Sequence, residues 1–453
     1  MIKEQNHQFV VVSEKATLLT IGTKLEKCLK CNCRKVVQDT VESLDPITLD
    51  MPVIYISDYE EDSVPLTKLQ KSDGEILVKY QYISNDDSVE SFECFCAIKV
   101  QGASSAYYPK KNFTVKFYKD AEMDSKLKVD FGWGKENKYC MKANYIDFSQ
   151  ARNIVGAKLF TQLVQSREYI NSGLSLAPNY GVIDGYPVLV YINGNFHGIY
   201  TMNIPKDEWM FAMEGEEDSK EAILMADAWS DSVSLYEKIG EDYSSFGWEL
   251  EYCSTEDDTW VRESFNRLIT LLNCGNKRVI KNELKNHLDI EAAIDNMLYT
   301  YFLSAADNTA KNILWATYDG EIWIPSMYDM DGTFGIFWNG EPVESRTYPS
   351  IVEQGSFNIP GMKLYTILIE CFADEVEERW IELRQSILTI ENTTKVFNEF
   401  FAKIPDVAYE SDALKWEGIP YIDVNRTNMY EATVEQLARL DEFFYSFNKT
   451  NLK

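Results

Sequence analysis

Between residues 51 and 120 apolar positions recur with a period of two. Met51-Pro-Val-Ile-Tyr-Ile opens the pattern. Ile76-Leu-Val-Lys-Tyr-Gln-Tyr-Ile and Phe92-Glu-Cys-Phe-Cys-Ala-Ile-Lys-Val continue it, and Asn112-Phe-Thr-Val-Lys-Phe-Tyr puts Phe113, Val115 and Phe117 on one face. Such runs, rich in β-branched and aromatic residues, predict a mostly antiparallel sheet. The period then lengthens. Ile154, Val155, Leu159, Phe160, Leu163 and Val164 follow helical spacing, with Asp147 or Ser149 suited to the N-cap. Strands return at 187–192 and 196–200 around Asn193-Gly194, the strongest short hairpin signal. Residues 205–250 read as acidic and loop-rich. Beyond them helix-period stripes run over 260–274, 290–306, 364–390 and 432–447, interrupted by a hairpin around Asp319-Gly320. Sheet first and helices afterwards predicts an α+β chain, with a β-rich lobe over 51–205 and an α-rich lobe over 206–453. Residues 1–50 are more polar and read as an N-terminal appendage.

Charge narrows the partners. The 453 residues hold 72 acidic and 44 basic side chains, a net charge of −28. Nucleic acid and anionic membrane surfaces are therefore not expected partners. A nucleotide is still compatible with this charge, through a local Lys and a bridging Mg²⁺. The N-terminus lacks the pattern of a signal peptide and no run reaches the length of a membrane span, so a soluble, non-secreted protein is expected. The nine cysteines are scattered, as suits reduced thiols. Cys28, Cys31 and Cys33, in the appendage, form a weak zinc-like spacing with no second pair to complete it. The three histidines, His7, His197 and His287, form no paired motif, which argues against His-ligated zinc hydrolysis and Ser-His-Asp catalysis.

Four polar clusters remain. Asp307 and Asn312 stand five apart, after the apolar helix end Tyr301-Phe-Leu-Ser-Ala-Ala, so Asp307 is expected at a buried site. Asp329-Met330-Asp331-Gly332 follows an extended run. If the strand continues, Asp329 and Asp331 share a face at about 6.5–7 Å, suited to one or two Mg²⁺ ions, while Met330 points into packing. An Asp, an Asn five residues on and a later acidic pair is the layout of phosphotransferases: the first Asp serves the acceptor hydroxyl, and the Asn and later Asp hold metal on ATP. Gln101-Gly102-Ala-Ser104-Ser105 offers backbone N–H groups to phosphates. In the following Lys110-Lys111, parity with Phe113 directs Lys111 inward and Lys110 to solvent. Lys142-Ala-Asn144-Tyr-Ile-Asp147-Phe-Ser-Gln-Ala-Arg152 gathers polar groups at a helix start, where anions are favoured. Arg152 would clamp a phosphate or pair with a carboxylate.

Together these stretches, with Val190-Tyr-Ile-Asn-Gly-Asn-Phe-His-Gly-Ile-Tyr200, resemble the CotH kinase family over roughly residues 50–340. The resemblance implies an atypical protein-kinase-like bilobal fold that transfers the γ-phosphate of ATP to Ser or Thr of a protein substrate, with Mg²⁺ or Mn²⁺. Carried over, Asp307 is catalytic. Asn312, Asp329 and Asp331 hold metal, and Lys111 holds the nucleotide with Gly102, Ser104, Ser105, Lys142 and Arg152. Two positions depart from the family. Gln101 stands where an Arg is common, and Ile204 where a Glu is common, leaving Glu208 or a residue elsewhere as the lysine's partner. The alternative reading is a catalytically weak kinase-like structural protein of a spore surface or phage particle, with residues 1–50 as the candidate surface for an assembly partner. The expected location is accordingly cytoplasmic, or within a spore coat or phage particle.

Overall fold

The computed structural model describes residues 9–19, 21–28, 34–40, 43–60, 63–87, 89–215, 219–343, 362–419 and 426–445. Near the N-terminus β1 (Phe9–Lys15), β2 (Ile21–Cys28) and β3 (Arg34–Thr40) form an antiparallel sheet. The expected appendage thus carries regular structure. Of its cysteine cluster, Cys28 ends β2, and Cys31 and Cys33 lie outside the described residues.

The period-two region forms β4 (Val53–Asp58), β5 (Ile76–Ile83), β6 (Phe92–Gln101) and β7 (Asn112–Tyr118), each antiparallel to the one before. A short pair, β8 (Val129–Asp130) and β9 (Lys135–Glu136), precedes β10 (Lys138–Lys142), which pairs with β7. The hairpin of β11 (Gly185–Ile192) and β12 (Asn195–Asn203) turns at Asn193 (φ 49°) and Gly194 (φ 75°), the positive φ values that Asn-Gly supplies. Alternation predicts strands but not their closure. These strands close as a barrel in the order β10-β12-β11-β4-β5-β6-β7, with β4 and β11 parallel. Closure removes exposed sheet edges. Phe113, Val115 and Phe117 are all buried, and Phe117 packs 4.9 Å from the Tyr80 ring, centroid to centroid. Each such side chain contributes about 2 kcal/mol on burial.

Helices α1 (Arg152–Gln165) and α2 (Ser172–Leu176) lie between β10 and β11, and β13 (Ala222–Ala226) and β14 (Trp248–Cys253) follow β12. As expected, the described residues over 205–250 are largely loop, and β13 and the start of β14 are the strands within them. All five residues of β13 are buried, so the strand shows no alternation to read. Then come α3 (Thr259–Leu272), α4 (Lys277–Glu283), α5 (Ile290–Leu303), β15 (Ile313–Thr317) and β16 (Ile324–Met327). The sheet order is β14-β13-β15-β16, antiparallel throughout. Helix α5 is buried almost all round and capped by the Asp289 carboxylate, which accepts from Ala292 N at 2.9 Å. The single stripe expected over 364–390 is two helices, α6 (Lys363–Cys371) and α7 (Ala373–Gln385), broken at Phe372 (φ −129°, ψ 33°). The chain continues through α8 (Ile390–Phe401), α9 (Asp406–Lys415) and α10 (Arg426–Tyr445).

Packing groups residues 1–145, 186–202 and 401–419 in one compact unit, and 146–185, 203–400 and 420–453 in the other. Helix α1 thus belongs to the second unit, whereas α9, late in the chain, belongs with the barrel. There Ser411 Oγ accepts from Leu18 N at 2.9 Å. Among the described residues no helix is long and apolar enough to cross a membrane.

Candidate active site

In the second unit two loops leave neighbouring strand ends. The first follows α5, runs through the 3₁₀ turn Asp307–Thr309 and enters β15 at Ile313. The second leaves β16 at Met327, so Asp329 and Asp331 do not continue the strand. Asp329 has φ +51°, and the shared-face argument for the acidic pair is corrected by that left-handed residue. Met330 does point into packing, at 0% exposure. Ser304 (φ 52°), Asn312 (φ 58°) and Phe334 (φ 46°) are left-handed too. Each costs about 1 kcal/mol relative to ordinary backbone, more for a bulky residue.

Asn308 ties the loops together. It is 1% exposed, and its Nδ2 donates to Asn312 O at 3.2 Å and to Tyr328 O at 2.8 Å. Tyr328 N also donates to Asn312 O at 3.0 Å. Asn312 and the residue before Asp329 are therefore bonded directly, with Asp307 beside the residue that staples them. Sequence reading passed over Asn308, because an amide between two motif residues looks like any loop asparagine.

The start of α1 grips the acidic loop from the other side. Asn153 Oδ1 accepts from Met330 N at 3.0 Å, and Arg152 Nε donates to Thr333 O at 2.9 Å. Gly156 faces Met330 so closely that a Cβ there would lie 3.2 Å from Sδ. Arg152 is 1% exposed and its Nη1 donates to the Asp147 carboxylate, whose other oxygen accepts from Arg152 N at 2.8 Å. Of the two partners foreseen for Arg152, the structure thus gives the carboxylate. Phosphate binding by Arg152, as expected from the sequence, would require this buried pair to open. The helix begins after Ala151 rather than at a capping Asp147 or Ser149, yet both residues still serve it from the preceding turn. Ser149 Oγ accepts from Ala151 N at 3.2 Å.

Asp307 is half-buried rather than buried, and pairs with Lys311 at 3.0 Å. Asn312 is buried. Its side-chain amide and the half-buried Asp329 carboxylate have no hydrogen-bond partner among the described residues. Asp331 is half-buried. Among the described residues no three His, Cys, Asp or Glu side chains gather as a metal site. The set here is two carboxylates and an amide, which suits a hard cation that takes its other ligands from phosphate and water.

The remaining expected residues lie in the barrel unit. Gly102 has φ +111°, and a Cβ there would sit 2.1 Å from Ser105 Oγ, so the turn requires glycine. Its carbonyl accepts from Lys71 Nζ at 2.8 Å, and the exposed Ser104 begins a 3₁₀ turn to Tyr107. Lys142 is half-buried at the end of β10. The parity reading of the lysines is reversed. Lys110 is 1% exposed, and its Nζ donates to Asp412 at 2.9 and 3.0 Å and to Ile199 O at 2.6 Å. Lys111 Nζ folds back on Ala106 O at 2.7 Å. Strand β7 begins only at Asn112, so its alternation does not extend to either lysine. Glu208 is exposed and forms no ion pair among the described residues, whereas Asp412 of α9 supplies the acid that Lys110 meets.

An Asp-bearing loop and an acidic loop thus lie stapled side by side in an α+β chain. The chain belongs to the CotH kinase family: the model described as "CotH kinase protein" matches residues 98–444, most of its length. No curated protein matches it.

Proposed function

We propose that the chain transfers the γ-phosphate of ATP to Ser or Thr hydroxyls of a protein substrate, in the presence of Mg²⁺ or Mn²⁺, on an atypical protein-kinase-like framework. The observation that carries this reading is the Asn308 staple, which sets Asp307, Asn312 and Asp329 on one small frame. Asp307 orients the acceptor hydroxyl and receives its proton, and its partial exposure leaves room for that hydroxyl. Asn312, Asp329 and Asp331 hold the cation, which when bound neutralises phosphate charge. Gly102, Ser104, Ser105, Lys111 and Lys142 are assigned to the nucleotide, with Arg152 acting through the acidic loop. Transfer of this kind needs positioning and charge rather than covalent chemistry from the protein.

Calorimetric titration with ATP tests the reading. The native protein is expected to bind ATP only with divalent metal. The double variant Asp329→Ala, Asp331→Ala, with its circular dichroism unchanged, is expected to lose at least about tenfold in affinity, or about 1.4 kcal/mol. Equal binding with and without metal, or by the double variant, would contradict it.

A further inference from the structure

Helix α6 returns to the two loops of the second unit. Just before it, Met362 N donates to Thr309 O at 3.2 Å, on the Asp307 loop. The third residue of the helix, Tyr365, is buried. Its hydroxyl oxygen lies 2.8 Å from Asn296 Oδ1, 3.1 Å from Thr300 Oγ1 and 3.4 Å from Asn308 O. Asn308 is the staple between the loops. Asn296 and Thr300 are also buried and stand one turn apart on α5, so they share a face. Both reach Met327, from which the acidic loop departs: Asn296 Nδ2 donates to Met327 Sδ at 3.1 Å, and Thr300 Oγ1 lies 3.6 Å from it. One phenol therefore joins a polar network that touches the Asp307 loop at Asn308 and the root of the acidic loop at Met327. The phenol has one proton to give. Asn296 takes it at the shorter distance, and the Asn308 carbonyl is the longer alternative. Burial raises the pKa of Tyr365, so it stays a neutral donor. A Phe here would fill the same space and leave these buried acceptors short of a donor.

We infer that Tyr365 is a positioning residue for phosphoryl transfer, whose hydroxyl keeps the Asp307 loop and the acidic loop at a fixed spacing, an inference that rests on the phosphotransfer reading above. Its hydroxyl bonds none of the groups assigned to the acceptor, the cation or the nucleotide. It acts through Asn308 on one side and through Asn296, Thr300 and Met327 on the other. Transfer is sensitive to misplacements of about 1 Å in the groups that align the reacting atoms. Loosening the network is therefore felt in the rate of transfer more than in the binding of ATP.

The test compares native protein, Tyr365→Phe, Thr300→Val and Tyr318→Phe. Tyr318 is the control: its hydroxyl donates to Phe211 O at 2.7 Å, a bond of the same unit that is no part of the network. Transfer of γ-label from ATP with Mg²⁺ is followed at single turnover over a range of ATP concentrations. Dephosphorylated casein is the acceptor, and label on the protein itself is also counted. Melting temperatures are measured beside it, and transfer is run well below them. Tyr365→Phe and Tyr318→Phe are each expected to melt a few degrees lower. Tyr365→Phe is expected to transfer about tenfold more slowly at saturating ATP, with the half-saturating ATP concentration changed less than about twofold. Thr300→Val is expected to show the same split with a fall of about threefold. Tyr318→Phe is expected to transfer at the native rate. A native rate in Tyr365→Phe, or an equal fall in Tyr318→Phe, overturns the inference and leaves the hydroxyl a stabilising bond only. Should Tyr365→Phe lose its fold, Thr300→Val decides by the same split. If the native protein transfers no γ-label, the phosphotransfer reading fails, and this inference with it.

Discussion

His197 is buried in the barrel unit, stacked 6.0 Å from the Tyr200 ring and meeting Trp416 edge-on at 5.1 Å. Burial, with help from Lys110 and Lys415, pushes its pKa down to about 3. The folded imidazole is therefore neutral where the unfolded one, near the usual 6.5, begins to protonate. Between those values the unfolded state binds the extra proton, so stability falls as pH drops through that window. From pH 6.5 to 5.0 the loss from this one site should be about 1.5 kcal/mol. Denaturant unfolding at both pH values, on native protein and His197→Gln, checks this. The variant should lose correspondingly less, and an equal loss would contradict the assignment. Which polar side chains are buried was the least legible property of the sequence. Lys110 and Lys111 are adjacent, and the acid that distinguishes them is 302 residues away. Local parity has no access to such a partner.

Helix α9 is the element that buries Lys110. It brings Asp412 to the amine, Oδ1 of Asp412 also accepts from Ile199 N at 2.9 Å, and Trp416 just beyond it donates to His197 O at 2.7 Å. Gly198 permits the approach, since a Cβ there would meet Asp412 Oδ1 at 2.5 Å. Three oxygens surround the one amine, and burial lowers the Lys110 pKa and raises that of Asp412 while the attraction between the two charges opposes both shifts. Lys110→Met and Asp412→Leu should each destabilise by about 3–5 kcal/mol, because each strands a buried charge. The double variant should cost clearly less than the sum of the two. Strict additivity in a double-mutant cycle of urea midpoints would show that the two charges do not depend on each other. Elements were legible where one face was buried and one wet. Strand β7 and the Asn193-Gly194 hairpin announced themselves in this way, whereas β13, buried on both faces, did not. The acidic loop misled for another reason. Extended sequence before Asp329 says nothing of the left-handed turn at that residue, which its bonds to α1 and to the Asp307 loop hold in place.

At the scale of the whole molecule, each compact unit is assembled from three separated stretches. Sheet-then-helix order gives the α+β class correctly, yet it cannot show that α9 returns to the barrel. The net charge of −28 makes local cations decisive. Near the two loops Arg152 is bound to Asp147, Lys206 to Glu249 and Lys311 to Asp307, so each of these cations already has an internal carboxylate partner. The candidate site was legible in part, because Asp307, Asn312 and Asp329 stand close in sequence and family motifs mark them. What binds them into one frame, Asn308 and the start of α1, was not. The central claim is phosphoryl transfer dependent on Asp307. It is tested most directly by incubating the protein with an acceptor protein and either γ- or α-labelled ATP, with Mg²⁺ or Mn²⁺, beside Asp307→Ala. The account predicts label from the γ position only, reduced by at least about 100-fold in the variant. Label from the α position would mean nucleotidyl transfer instead, and γ-label undiminished in Asp307→Ala would contradict the assignment of the site.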